Sequence, residues 1–134
     1  MRVFLDTNVL VSAFATRGVC ADVLRVVLAD HTLLTGEVVL RELRQVLRKR
    51  IGLPPAAVKE IDEFLREHEV APNPAARAAV PKRDPDDQWV VASAVESRAD
   101  VLVTGDRDLL DIAADAPVKI VDPRGFWDLV RKNE

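Results

Sequence analysis

Acidic residues stand where apolar runs give way to turn chemistry: Asp6 in LDTN, Asp84, Asp86 and Asp87 in RDPDDQW, and Asp106 in VTGDRD. Each follows or abuts an apolar run, so the pattern predicts carboxylates gathered at one edge of a sheet. Two carboxylates ~4 Å apart repel by ~4 kcal/mol at an effective dielectric of about 20, and several cannot stay ionised together without a cation. Oxygen-only ligands select hard ions, which makes Mg²⁺ or Mn²⁺ the natural choice.

The elements that must position these acids can be read along the chain. Val3 to Leu5 is a short apolar run, and Asp6-Thr7-Asn8 supplies cap chemistry before a helix over Val9 to Phe14. A second helix is predicted over about Cys20 to Ala29, a buried strand over His31 to Leu34, and a long helix from Thr35-Gly36 to near Arg50. Gly52-Leu-Pro-Pro ends it, and Pro55 sits in the first turn of the next helix. Ala71 to Val80 reads as a connection. The alternation then resumes with a helix from about Pro85 to Ala99, a strand Val101 to Thr104, a short helix after Asp106, a strand Val118 to Val121 and a last helix through Val130. Strands alternating with helices predict an α/β fold with a mainly parallel sheet covered on both faces.

In such a fold the helix N-termini share an edge with the carboxyl ends of the strands, where ligands bind. Asp6 and Asp106 follow strands and Asp87 begins a helix, so the three share one rim. Asp87 lies on the helical stripe of Val91, Ala94 and Val95, which turns it toward the body of the protein. Glu42 sits at the margin of the face made by Val39, Leu40, Leu43, Val46 and Leu47, about 100° from its centre, and can lean into the same cleft.

Each acid also has a local explanation. Asp84-Pro85-Asp86-Asp87 is a good helix start in its own right, and capping is the favoured reading of Asp84 and Asp86. Asp6, Thr7 or Asp106 could simply cap the helix that follows it, and a lone Glu42 would be an ordinary surface glutamate. Taken together these separate explanations lose force. Arg41, Arg44 and Arg48 form a basic stripe suited to phosphates, although a solvated helix face is the default. His31 and His68 have no metal-ligand spacing; Trp89 and Trp127 have the apolar neighbours of core residues, and Cys20 reads as a small helix-face residue.

Composition narrows the rest. A chain of 134 residues, 49% hydrophobic, is sized for one domain, taken here as residues 1–134. One cysteine rules out an internal disulfide or a multi-thiolate zinc site. Without an apolar leader or a membrane-length run, the expected location is the cytoplasm. A net charge of -3 leaves any nucleic-acid affinity to local patches.

The segments LDTNVLVSA, VVLRELRQVL with its glutamate, DPDDQWVVASAVESRAD and VLVTGDRDLL, in this order, resemble the PIN-domain family, and within it the VapC-like toxin ribonucleases of bacterial toxin–antitoxin pairs. The resemblance runs from near residue 1 to about Phe126 and implies a three-layer α/β/α fold. It matches Asp6, Glu42, Asp87 and Asp106 to the family's acidic quartet, which binds one or two Mg²⁺ or Mn²⁺ ions for RNA cleavage. Asn8 and Thr104, and with less definition Asp84 and Asp108, correspond to supporting or water-orienting groups; Asp84 and Asp87 are three apart and both could reach the cleft, the inward stripe favouring Asp87. The family further implies an RNA substrate, a small antitoxin protein and a homodimer. A non-catalytic PIN-like RNA- or protein-binding module would tend to have lost one of the four acids. A metal-dependent phosphatase would want a second acid where this chain has Asn8.

Overall fold

The computed structural model describes residues 1–78 and 85–132. Five strands, β1 (Arg2–Leu5), β2 (Thr32–Gly36), β3 (Glu69–Ala71), β4 (Val101–Val103) and β5 (Lys119–Val121), form one parallel sheet in the order β3-β2-β1-β4-β5. Between and after them run α1 (Thr7–Ala15), α2 (Val19–Asp30), α3 (Glu37–Lys49), α4 (Pro55–Arg66), α5 (Pro85–Glu96), α6 (Arg107–Asp111) and α7 (Pro123–Lys132), with a 3₁₀ turn at Ala113–Asp115.

Central strands of a parallel sheet are covered on both faces, so their sequence is continuously apolar rather than alternating. Val3, Phe4 and Leu5 of β1 and Val101, Leu102 and Val103 of β4 accordingly have at most 1% exposure. The chain moves outward from β1 to β2 to β3, then returns across the sheet through α5 to β4. Because such crossovers are right-handed, the helices of the outward and returning paths fall on opposite faces, which gives the three-layer α/β/α sandwich expected from the sequence. Among the described residues no helix is long and apolar enough to cross a membrane.

Three details depart from the sequence reading. An unforeseen edge strand, β3, takes in Ala71, the first residue read as a connection, and pairs with β2 from Leu34–Glu69 to Gly36–Ala71; three residues are too few to show a period. Strand β2 runs on to Gly36, two residues past Leu34, and a side chain at Gly36 would overlap the Ser93 hydroxyl of α5, so the strand's end sits hard against that helix. Helix α5 stops at Glu96 rather than Ala99. Arg98 takes a left-handed conformation (φ 58°), and the amides of Arg98 and Ala99 bond back to the carbonyls of Val95 and Ala94. That is a Schellman ending made without the usual glycine, so no local residue announces it.

Candidate active site

β1 and β4 are neighbours whose following segments depart in different directions, and the crevice between them opens at their carboxyl ends. Asp6 is the first residue beyond β1. Its amide donates to Val103 O (3.0 Å), so the backbone under the acid is tied to β4. Asp6 Oδ1 caps α1 by accepting from Thr7 N (2.8 Å), while Oδ2 accepts from Thr104 Oγ1 (2.8 Å) and Asn8 Nδ2 (3.2 Å). Asp106 caps α6 in the same way, accepting from Asp108 N at 3.0 Å. The local capping readings are therefore correct for both residues, and compatible with a second role, because each cap engages one carboxylate oxygen.

Thr104 and Asn8 bind the two acids into one unit. The Thr104 hydroxyl donates to Asp6 and accepts from the amide of Asp106 (3.0 Å), and Asn8 Oδ1 accepts from Gly105 N (2.7 Å). A Cβ on Gly105 would stand 3.2 Å from Asn8 Oδ1, which leaves little room for any other residue there. These two polar residues position carboxylates across the β1–β4 crevice.

A cleft of about 230 Å³ is lined by all four acids of the expected quartet, Asp6, Glu42, Asp87 and Asp106. Asp6 and Asp87 are buried, at 5% and 7% exposure. Burial raises the Asp6 carboxyl above its ordinary value; the bonds from Thr104 and Thr7 oppose this, and the charge of Asp106 adds to it. Glu42, exposed on its outer side, is raised first by loss of water and then by Asp6, with the Thr7 hydroxyl opposing and Asp86 and Asp87 adding to the rise. Among the described residues no arginine or lysine forms an ion pair with Asp6 or Glu42.

Carboxylate oxygens of Asp87, Asp106 and Asp108 lie within 4.8 Å of one another. Opposite ligands of a Mg²⁺ held at about 2.1 Å are separated by about 4.2 Å, so this trio, with the desolvated Asp6 beside it, fits a hard divalent cation. Asp108, expected only as a supporting group, thus stands directly with two of the quartet. Asp84 lies outside the described residues. Asp86, read from sequence as a cap, contributes to the electrostatics of Glu42 and lines the neighbouring groove. Arg50 at the end of α3 also lines the cleft and was missed. The signal was available: Glu42, Val46 and Arg50 recur every four residues on one stripe of α3.

His31 Nδ1 meets the N-terminal amine at 3.1 Å and its ring packs edge-on to Phe126, while His68 packs on Phe64; both are structural. Trp127 packs on the core as expected. Trp89 does not have the place foreseen for it: it lies half-buried in a groove beside Glu42.

The sequence profile of the PIN domain matches residues 2–108. No curated protein matches the chain by sequence. In three dimensions it is similar to VapBC2 from Rickettsia felis, solved bound to a DNA fragment from their promoter (TM-score 0.61, 16% identity, covering 91% of this chain and 98% of that one). It is similar also to VapBC-1 from nontypeable Haemophilus influenzae (0.61, 17%, 92% and 99%). A third likeness is to VapC20 from Mycobacterium tuberculosis, described as a Sarcin-Ricin loop cleaving toxin (0.59, 16%, 81% and 93%). At these identities the likeness is one of fold.

Proposed function

The chain belongs to the PIN-domain family, and we propose that it is a divalent-metal-dependent endoribonuclease acting as the toxin of a toxin–antitoxin pair. The observation that carries this reading is the convergence of Asp6, Glu42, Asp87 and Asp106 on one cleft at the carboxyl edge of β1 and β4. Asp6, Glu42, Asp87 and Asp106 would hold one or two Mg²⁺ or Mn²⁺ ions, with Asp108 joining them from the first turn of α6. When bound, such an ion polarises a phosphodiester and acidifies a water. The chain's own part is to fix the ligands before substrate arrives: Thr104 and Asn8 lock the Asp6 carboxylate in place, and the Thr104 hydroxyl holds the backbone of Asp106 in register with it. Preorganised groups of this kind avoid reorganisation during reaction. The Rickettsia and Haemophilus structures are VapBC assemblies, which supports an antitoxin partner for this chain; a homodimer acting on RNA in the cytoplasm belongs to the same proposal.

The test is cleavage of total RNA with Mn²⁺ by the wild type, Asp6→Asn and Asp106→Asn. Each substitution is expected to reduce the rate by about 100-fold or more, and EDTA is expected to abolish cleavage. Equal activity in all three proteins, or full activity in excess EDTA, would overturn the reading. Copurification with a small antitoxin protein, sought among the products of adjacent reading frames, tests the toxin–antitoxin assignment.

A further inference from the structure

The acidic cleft is one end of a longer depression. Helix α3 divides it into three by its own periodicity. Glu42, Val46 and Arg50 face the acidic cleft. Val38, Arg41, Glu42 and Gln45 face a groove of about 490 Å³ whose other wall carries Trp89 and Asn73. Arg41, Arg44, Gln45 and Arg48 face a third groove, of about 410 Å³, closed by α4 with Lys59. Neighbouring grooves share residues, Glu42 in the first case and Arg41 with Gln45 in the second, so the surface is continuous.

Charge changes sign along this surface. The end nearest the cleft carries Glu42 and Asp86, Arg41 stands where the two grooves meet, and the far end carries Arg44, Arg48 and Lys59, the last paired with Glu63 at 3.8 Å. The one acid lining the far end, Asp62, is bonded to Arg44 and Arg66 (2.9 and 2.8 Å). Arg41 and Arg48 form no ion pair among the described residues. A polyanion approaching a protein of net charge -3 must be held by such a local row. Helix α5 adds the second element. Asp87 and Val90 line the acidic cleft while Asp86 and Trp89, one position earlier on the wheel, line the groove beside it. An aromatic face is thereby set one helical stripe from the acids. A phosphate is repelled by the Glu42 and Asp86 end of the groove, whereas a neutral base is not.

On the nuclease reading above, we propose that Trp89 and the unpaired arginines of α3 are the residues that seat an RNA strand on this track: an unpaired base stacks on Trp89 beside the acidic cleft, and the phosphates of the adjoining nucleotides lie along Arg41 and Arg48. The half-buried ring accepts a base only when that base has left its own stack, which selects single strands, loops or bulges over duplex. The side-chain amides of Gln45 and Asn73 in the same groove offer donors and acceptors to the base edge.

The experiment measures binding apart from cleavage. The full chain carrying Asp106→Asn is titrated, in EDTA, into a labelled single-stranded RNA oligonucleotide and into its duplex, and anisotropy is followed. Single-stranded RNA should bind more tightly than duplex. Adding Trp89→Ala should weaken it by about 10-fold, while Trp89→Phe keeps most of the affinity and guards against a folding defect. Adding Arg41→Ala with Arg48→Ala should lower the slope of log affinity against log salt by about 1.4, at about 0.7 per phosphate on a single strand. Equal affinity for duplex, or affinity unchanged by Trp89→Ala, overturns the proposal. So does a result in which these variants bind RNA normally but no longer copurify with a partner protein, which would make the track a protein-docking surface. If the track binds RNA as described while the wild type fails to cut with Mn²⁺, the nuclease reading falls and this one stands.

Discussion

Two glutamates on α3, Glu37 and Glu42, sit little more than one turn apart and meet opposite surroundings. Glu37 is held below its ordinary value chiefly by the bonds it accepts from Arg66 of α4. Asp62 nearby loses water, which alone would raise it, yet the bonds from Arg66 and Arg44 bring it below its ordinary value. Glu42 is raised, by loss of water and by other acids. Each acid of the α3–α4 network is matched to an arginine of the same chain. In the cleft, carboxylates are brought together, with Asp6 and Asp87 buried, and among the described residues no arginine or lysine is matched to Asp6 or Glu42. On the proposed function, the difference separates acids that hold the fold together from acids left for a bound cation to balance.

Removing the unmatched charges should break this contrast most strongly. Mn²⁺ at about 100 times its dissociation constant is expected to stabilise the wild type by ~2.7 kcal/mol, raising the melting temperature by roughly 10 °C for a domain of this size. The double variant Asp87→Asn with Asp106→Asn should show almost none of that rise in calorimetry, and Asp62→Asn should show all of it. A rise of equal size in the double variant would mean that the ion binds elsewhere.

How far these two regions could be read from sequence differs for a physical reason. The central strands were legible because Val3 to Leu5 and Val101 to Val103 are apolar on both faces. Asp6 and Asp106 were legible because a residue just past a parallel strand has only one place to be. Glu42 followed from its phase on α3. The partnership of Asp108 with Asp87 and Asp106 depends on how α6 turns after Asp106, and the Arg66 bonds to Glu37 and Asp62 depend on how α4 docks on α3; neither has a periodic signature. Trp89 was misread because a helical wheel shows its apolar neighbours without showing that Arg41 and Asn73 face it across a groove. β3 escaped notice because strand pairing at a sheet edge needs only three residues.

The two regions should also respond oppositely to pH. Asp6 and Glu42 have raised values in the fold, so their charged forms destabilise it. That penalty is absent below the ordinary values of 3.8 and 4.5 and grows as pH rises through the raised ones. Glu37 and Asp62 have lowered values, so their stabilisation is present above 4.5 and 3.8 and is lost as pH falls through the lowered ones. His31, pushed down by burial and by the N-terminal amine, loses stability as pH falls below 6.5, so the comparison is best made as a difference between variant and wild type. In EDTA, the stability of Asp6→Asn relative to wild type should grow as pH rises above the ordinary value of 3.8, while that of Glu37→Gln should grow as pH falls below the ordinary value of 4.5. A pH-independent difference for Asp6→Asn would mean that its carboxylate is not destabilised in the fold.

The smallest effect belongs to the network itself. Arg44 and Arg66 keep 42% and 39% of their side-chain exposure, so water and salt screen their bonds and each exposed pair contributes only about 0.2–1 kcal/mol. Arg66 bonds both Glu37 and Asp62 whereas Arg44 bonds Asp62 alone. Arg66→Ala should therefore destabilise by about 1 kcal/mol and Arg44→Ala by about half of that, both less at high salt. Neither should alter the Mn²⁺-dependent rise in melting temperature, because these arginines balance acids on the far side of α3 from the cleft. If Arg66→Ala did reduce that rise, the two acidic regions would be coupled through α3, and the contrast between Glu37 and Glu42 would describe one electrostatic unit instead of two.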